Sequence, residues 1–303
     1  MIELIKKTKI DFMGKRTYAF AVSGVVFLLG ILAIVQIIRG SANLGIDFTG
    51  GTAVQIQFEK PIILADARKA LEEGGVQDFD LQDMPVERKI LIRVKKKEEI
   101  LGGFSDTIVA ALSKRFSDQQ LVVDSTTEIG PKVGERLRKD ALLAILAATI
   151  GLLIYIAFRF QFRFGVGATI ATLHDVFAVL GIFYILDREI NLIVVSALLA
   201  IAGYSLTDTV VVFDRIRENL KIRFKEPVAQ VVNQSINEVL SRTIVTALTT
   251  LLAAFALFLF GGEVIHDFSL AIIIGICVGT FSSIFVASPI VLLWGGQRPF
   301  AKK

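Results

Sequence analysis

Six apolar runs, each close to the ~20 residues that an α-helix needs to cross a hydrocarbon core, decide most of what this chain can be. They lie at Tyr18–Ile38, Ala141–Phe158, Val166–Leu186, Asn191–Phe213, Thr243–Phe260 and Phe268–Trp294. In lipid a chain satisfies its backbone polar groups only as helices or as a closed barrel, and runs of this length read as helices. Composition agrees. Of the 303 residues 53% are hydrophobic, with a mean hydropathy of +0.65, above the ~45–50% apolar usage of globular chains. That argues against a soluble enzyme and against a disulfide-stapled secreted domain. The lone Cys277 sits in an apolar run and has no intrachain partner. A net charge of +4 and a pI near 9.1 would suit nucleic acid. The basic residues cluster beside the apolar runs, however, where membrane topology accounts for them, so no nucleic-acid partner is expected.

Lysines and arginines set the orientation. Lys6, Lys7, Lys9, Lys15 and Arg16 precede the first run, and Arg159 and Arg163 separate the second from the third. Arg215, Arg217, Lys221, Arg223 and Lys225 follow the fourth, and Arg298, Lys302 and Lys303 follow the sixth. The opposite short loops hold only Arg188, and none around Glu263–Asp267. Both termini are therefore expected in the cytoplasm. The first run is too long and too uniformly apolar for a cleaved signal peptide and reads as a retained anchor. The expected layout is a cytoplasmic tail at 1–17, a first helix at 18–38, an extracytoplasmic domain at 39–135, helices two to six within 136–296 and a cytoplasmic tail at 297–303.

Within the long polar segment the periodicity turns globular. Thr52–Phe58 alternates as a strand, Leu64–Glu73 is an amphipathic helix stopped by Gly74-Gly75, and Val76–Leu81 is a short strand. Ile90–Val94 alternates, Phe104–Phe116 reads as a helix, and Leu121–Thr127 closes with a strand. The order βαββαβ is ferredoxin-like. The fold class is thus an α-helical membrane bundle of six spans carrying an α+β ferredoxin-like extracytoplasmic domain. That domain has neither histidine nor cysteine and suits binding or leverage better than catalysis. Val228–Leu240, ahead of the fifth run, is amphipathic; it lies along the membrane interface or packs on the bundle.

Ionisable groups in hydrocarbon cost at least ~2.5–3.5 kcal/mol each on an insertion scale, so each needs a reason. The fourth run contains Ser205, Thr207, Asp208 and Thr209; the third contains His174 and Asp175; the fifth opens Ser241-Arg242-Thr243. Ser205 and Asp208, three apart, share a helical face. Asp208 is expected about 7–8 Å from the inner end of its helix, at a depth where it could meet Arg242. Protonating such an acid would release its basic partner, the minimal part of an ion-coupled switch. The plainer alternatives are a static interhelical bond for Asp208 and a snorkelling side chain for Arg242. For His174 and Asp175 interhelical hydrogen bonding is the simpler role, and no metal site is expected. Gly275 and Gly279 form a GxxxG in the last run.

Two blocks carry a resemblance. Gly45-Ile46-Asp47-Phe48-Thr49-Gly50-Gly51 follows the first run, and a block from Gly203 to Asn219 surrounds Asp208. With Leu173-His174-Asp175-Val176 and Ser241-Arg242-Thr243, these resemble the SecF family of protein-export membrane proteins over nearly the whole chain. The glycine-rich block occurs in SecD as well. The resemblance implies half of a resistance-nodulation-division (RND) type assembly in the cytoplasmic (inner) membrane. Its partners would be SecD, the SecYEG channel, in many bacteria YajC, unfolded preprotein and membrane lipid. It further implies late-stage preprotein export driven by a proton or sodium motive force, with no cofactor besides the coupling ion, H+ or Na+, and no hydrolytic chemistry. Asp208 matches the family's transmembrane acid and Arg242 its basic partner. His174, Asp175, Ser205 and Thr209 form a candidate polar relay. For Asp47, Gly50 and Gly51 the simplest role is a tight turn into the domain.

Other classes fit less well. A self-sufficient small-molecule exporter of the same superfamily needs two such halves, and this chain has no internal repeat. An intramembrane serine protease would need a second glycine where Leu206 stands and a base within reach of its nucleophile. An aspartyl dyad of Asp175 and Asp208 lacks the expected sequence contexts. A purely structural subunit stabilising SecD is the strongest rival.

Overall fold

The computed structural model describes residues 8–84, 88–95, 104–159 and 161–295. In chain order these form α1 (Arg16–Arg39), α2 (Ile46–Thr49), β1 (Gly51–Phe58), α3 (Leu64–Glu73), β2 (Phe79–Met84), β3 (Lys89–Lys95), α4 (Phe104–Arg115) and β4 (Leu121–Ile129). There follow α5 (Pro131–Arg159), α6 (Phe162–Ile185), α7 (Leu192–Ile222), α8 (Val228–Phe260), α9 (Gly262–Ser282), a π turn (Ser283–Ala287) and α10 (Ser288–Gly295). Six helices are long and apolar enough to cross a membrane, the last running through α9, the π turn and α10. The chain divides into two compact units. One holds Leu44–Leu143 with Ile190–Leu192; the other holds the segments up to Asn43, Ala144–Glu189 and Ile193 onward.

The first unit is built on an antiparallel sheet of order β2-β3-β1-β4, the ferredoxin-like arrangement. Alternation puts Val54, Ile56 and Phe58 of β1 and Ile90, Ile92 and Val94 of β3 on one face. Ala67, Ala70 and Leu71 of α3 and Ile108 and Leu112 of α4 close over them. The second strand starts later than the sequence suggests, at Phe79 instead of Val76. Gly75 and Asp78 both take positive φ (81° and 52°), which holds the intervening residues out of the extended pairing.

The second unit is helical, and two expectations change there. The amphipathic segment Val228–Leu240 and the fifth span are one 33-residue helix, α8, because no glycine or proline interrupts it. Val231, Val232, Ile236 and Leu240 pack into a core with Val212, Phe213, Ile216 and Leu220 of α7, so the segment packs on the bundle. Asn219 donates to Ser235 Oγ (2.9 Å) and to Glu238 Oε2 (2.8 Å), and Arg215 Nε donates to Glu238 Oε2 (2.6 Å). The second change concerns the expected N-terminal tail, 1–17, which is docked from Thr8 onward. Asn233 Oδ1 accepts the Phe12 N–H (2.7 Å), while Asn233 and Asn237 both donate to the Ile10 carbonyl (2.9 Å each). Phe12 and Met13 are buried in the same core. Lys6, Lys7 and the expected tail at 297–303 lie outside the described residues.

Replacing Asn233 with Ala strands the Phe12 and Met13 N–H groups and leaves the Ile10 carbonyl to Asn237 alone, at a cost of about 1–3 kcal/mol. Limited proteolysis in detergent should then cut residues 8–15 at least several-fold faster than in wild type. An unchanged cleavage rate would mean that the segment is held elsewhere.

Candidate functional site

Polar side chains collect where α6, α7 and the last span meet. Asp175 of α6 is fully buried, and a carboxyl out of water persists only when hydrogen bonds replace its hydration. Here Ser205 of α7 and Ser282 of α9 (2.8 Å) both donate to Oδ2, and His174 Nδ1 lies 3.0 Å from Oδ1. Among the described residues His174 Nε2 is buried without a partner. Gly279 makes the approach feasible, because a Cβ at that position would stand 3.2 Å from Ser205 Cβ. Half of the GxxxG thereby acquires a definite role, since it admits the hydroxyl layer around Asp175.

One residue on, Ser283 donates to Asp208 Oδ2 of α7 at 2.6 Å. Consecutive helical residues point about 100° apart, so the Ser282-Ser283 pair reaches two carboxyls on two different helices. The local backbone is a π turn beginning at Ser283. Pro289 has no N–H to offer the Phe285 carbonyl, and its ring crowds that carbonyl, which opens the helix. Ser288 Oγ donates back to the Ser283 carbonyl (2.9 Å) and so satisfies one group in the widened turn. The result is two neighbouring polar clusters, His174, Asp175, Ser205 and Ser282 in one and Ser283 with Asp208 in the other, inside otherwise apolar helices. Ser282, Ser283 and the π turn are not among the features that the sequence reading singles out. The available signal is a Ser-Ser pair followed by Pro289 within one apolar run.

The expected Asp208–Arg242 pair is absent among the described residues: no ion pair joins them within 4.0 Å. Thr243, not Arg242, is the α8 residue that faces Asp208. Thr243 is buried, whereas Arg242, one residue and about 100° round the helix, is exposed. Asp208 itself is half-buried. α7 continues nine residues past its expected end at Phe213, to Ile222, so Asp208 lies about 21 Å from that end at 1.5 Å per residue and not 7–8 Å. Thr209 is buried, with no partner for its hydroxyl among the described residues. Thr246 and Thr250 donate to carbonyls four residues back (2.9 Å each), a packing role.

In the sheet-containing unit Gly50 and Gly51 take φ of 75° and 148°. A Cβ on Gly51 would run into the Val94 carbonyl, and one on Gly50 would stand 2.9 Å from Pro131 Cα. Only glycine makes this turn without strain. Asp47, in the preceding turn, does something a tight turn does not require: its Oδ2 accepts the Leu192 backbone N–H at 2.9 Å. A partner 145 residues away leaves no local trace in sequence.

Comparison with known proteins places this arrangement. Residues 108–297 match the family described as protein export membrane protein SecD/SecF, C-terminal, and residues 43–62 match the SecD/SecF GG motif. The protein translocase subunit SecF of Thermodesulfovibrio yellowstonii is 61% identical over 297 residues, covering 97% of this chain and 98% of its own. That of Vibrio alginolyticus is 39% identical over 300 residues, covering 98% and 94%. The crystal structure of SecDF from Thermus thermophilus, a translocon-associated membrane protein, superposes with a TM-score of 0.81 at 38% identity. It covers 97% of this chain, and this chain spans 39% of the SecDF chain.

A large side chain at Gly279 must push α9 off α7. Gly279→Leu should lower the melting temperature of the purified protein, overpacking costing about 1–3 kcal/mol or more. Gly203→Ala, whose new Cβ meets open space, is the control and should not. Equal melting temperatures for Gly279→Leu and wild type would show that the interface does not need the gap.

Proposed function

The chain belongs to the SecD/SecF family of protein-export membrane proteins, and on that footing we propose that it is the SecF-type half of an ion-driven export motor. It works with a SecD-type partner beside the SecYEG channel, with YajC where present, in the cytoplasmic membrane and with both termini inside. The pair pulls unfolded preprotein outward at the late stage of translocation, drawing on a proton or sodium gradient and on no hydrolysis of its own. Two features support the need for a second half. The chain spans 39% of the SecDF chain that it superposes on. Its helices α5 and α8 leave Leu142, Leu146, Leu153, Leu252, Phe255 and Leu259 exposed, faces that require lipid or further helices.

The observation that carries the reading is the pair of carboxyls, Asp175 and Asp208, each taking a hydroxyl from one of two adjacent serines where the helix turn opens. Carboxyls inside membrane bundles mark ion paths far more often than packing sites, and π turns gather at functional positions. Asp208 takes up the coupling ion. In the charged form it attracts Arg242, whose neighbour Thr243 already faces it; in the neutral form it is held by the Ser283 hydroxyl. Two unit charges 4 Å apart attract by about 4 kcal/mol at an effective dielectric constant of 20. One charge crossing 100 mV releases about 2.3 kcal/mol. Driving force and switch energy are thus of one size, as a two-state device needs, since inverting a 1:99 population takes about 5.5 kcal/mol.

Asp208→Asn keeps the shape and an acceptor for Ser283 but removes the titrating group. In inverted vesicles containing the SecD-type partner, with ATP exhausted before a gradient is imposed, this variant should lose at least tenfold of the gradient-stimulated export while assembling normally. Export equal to wild type would make the carboxyl a packing device and the chain a scaffold.

A further inference from the structure

The glycines of the GG motif serve a steric purpose, and the acid beside them is not needed for it. We infer that Asp47 is a positioning residue that holds the first turn of α7, the helix carrying Ser205 and Asp208, and so ties the sheet-containing unit to the ion-responsive helix; the inference rests on the function proposed above.

A helix leaves its first four N–H groups without intrahelical partners, and an acceptor bearing negative charge at that end both satisfies a donor and opposes the helix dipole. α7 begins at Leu192, and the Leu192 N–H is the group that Asp47 accepts. The carboxylate comes from the motif and not from the chain just before the helix. It is held firmly on its own side. Gly45 donates to the Ile190 carbonyl (3.0 Å), and Leu44 forms a single parallel bridge with Ile190. The Gly45 carbonyl accepts from the Phe48 and Thr49 N–H groups (3.0 and 3.1 Å) and from Thr49 Oγ1 (3.1 Å), closing α2 around Asp47. Gly50 and Gly51 then turn the chain directly into β1, which pairs with both β3 and β4.

The mechanical consequence follows from connectivity. Three residues, Ile190–Leu192, belong to the sheet-containing unit, yet Leu192 starts a helix that reaches Asp208 about 24 Å further on at 1.5 Å per residue. Any displacement of the sheet that moves Asp47 must either carry the first turn of α7 with it or break the Asp47–Leu192 bond. The motif is therefore a coupling between the unit that would grip preprotein and the helix that would respond to the ion. The charge strengthens the bond, and Asn retains the acceptor oxygen.

The test deletes the bond from each side in the full-length chain with its SecD-type partner. Asp47→Ala removes the acceptor. Leu192→Pro removes the donor at the first helical position, where proline is tolerated. Each should lower gradient-stimulated export several-fold, the double variant should fall no further than either single one, and Asp47→Asn should restore most of the loss. Amide exchange over Leu192–Val195 should quicken at least fivefold in Asp47→Ala. Additive losses, no loss, failure of Asp47→Asn to rescue, or unchanged exchange each overturn the inference. If Asp208→Asn proves indifferent in the same vesicles, it is the motor reading that falls, and the exchange measurement then decides the Asp47 bond by itself. Should Asp47→Ala fail to assemble, Leu192→Pro and Asp47→Asn carry the comparison.

Discussion

A carboxyl with no exposure at all, Asp175, sets the terms for the helical unit. Out of water it must be surrounded by donors, and each donor has to come from a helix brought close enough to give one. Ser205 fixes α7 against α6, Ser282 fixes α9 against α6, and Gly279 leaves little room for a larger side chain against Ser205. The packing of three spans follows from the needs of one side chain. In lipid, where burying apolar surface gives helices no reason to prefer each other to acyl chains, such polar and small-residue contacts are what choose the partners.

Asp208 is a different kind of acid. It is half-buried, takes a hydroxyl donor at 2.6 Å from Ser283, and sits beside a helix whose arginine is turned outward. The two carboxyls are served by adjacent serines, Ser282 at the end of α9 and Ser283 at the start of the π turn, so both bonds lie where the helix changes register.

Much of this is legible in the sequence. Length and hydropathy fix six spans, and period-two and period-3.6 patterns fix the ferredoxin-like order, because both are repeated signals spread over many residues. Asp208, His174 and Asp175 stand out because charge is expensive in an apolar run. What escapes is whatever depends on rotation or on distance along the chain. Whether Thr243 or Arg242 faces Asp208 turns on a single 100° step. The continuity of α8 through Ser241-Arg242 is hidden because a polar patch resembles a boundary, although nothing there breaks a helix. Ser282 and Ser283 look like ordinary small residues until Pro289 is seen to reshape the turn that begins at Ser283, and the bond from Asp47 to Leu192 has no local signature at all.

The unbroken α8 has one more consequence. At 33 residues it is about 50 Å long, some 20 Å more than a hydrocarbon core is thick. Clamped to α7 by Asn219, Arg215 and Glu238, it forms a stiff two-stranded rod joined at its tip by the short turn before Val228. A tilt of about five degrees at the level of Asp208, roughly 21 Å from the end of α7 at 1.5 Å per residue, moves the tip by about 2 Å. The tip is thus a natural pointer: a spectroscopic probe placed on that turn would read the state of Asp208 from about 21 Å away.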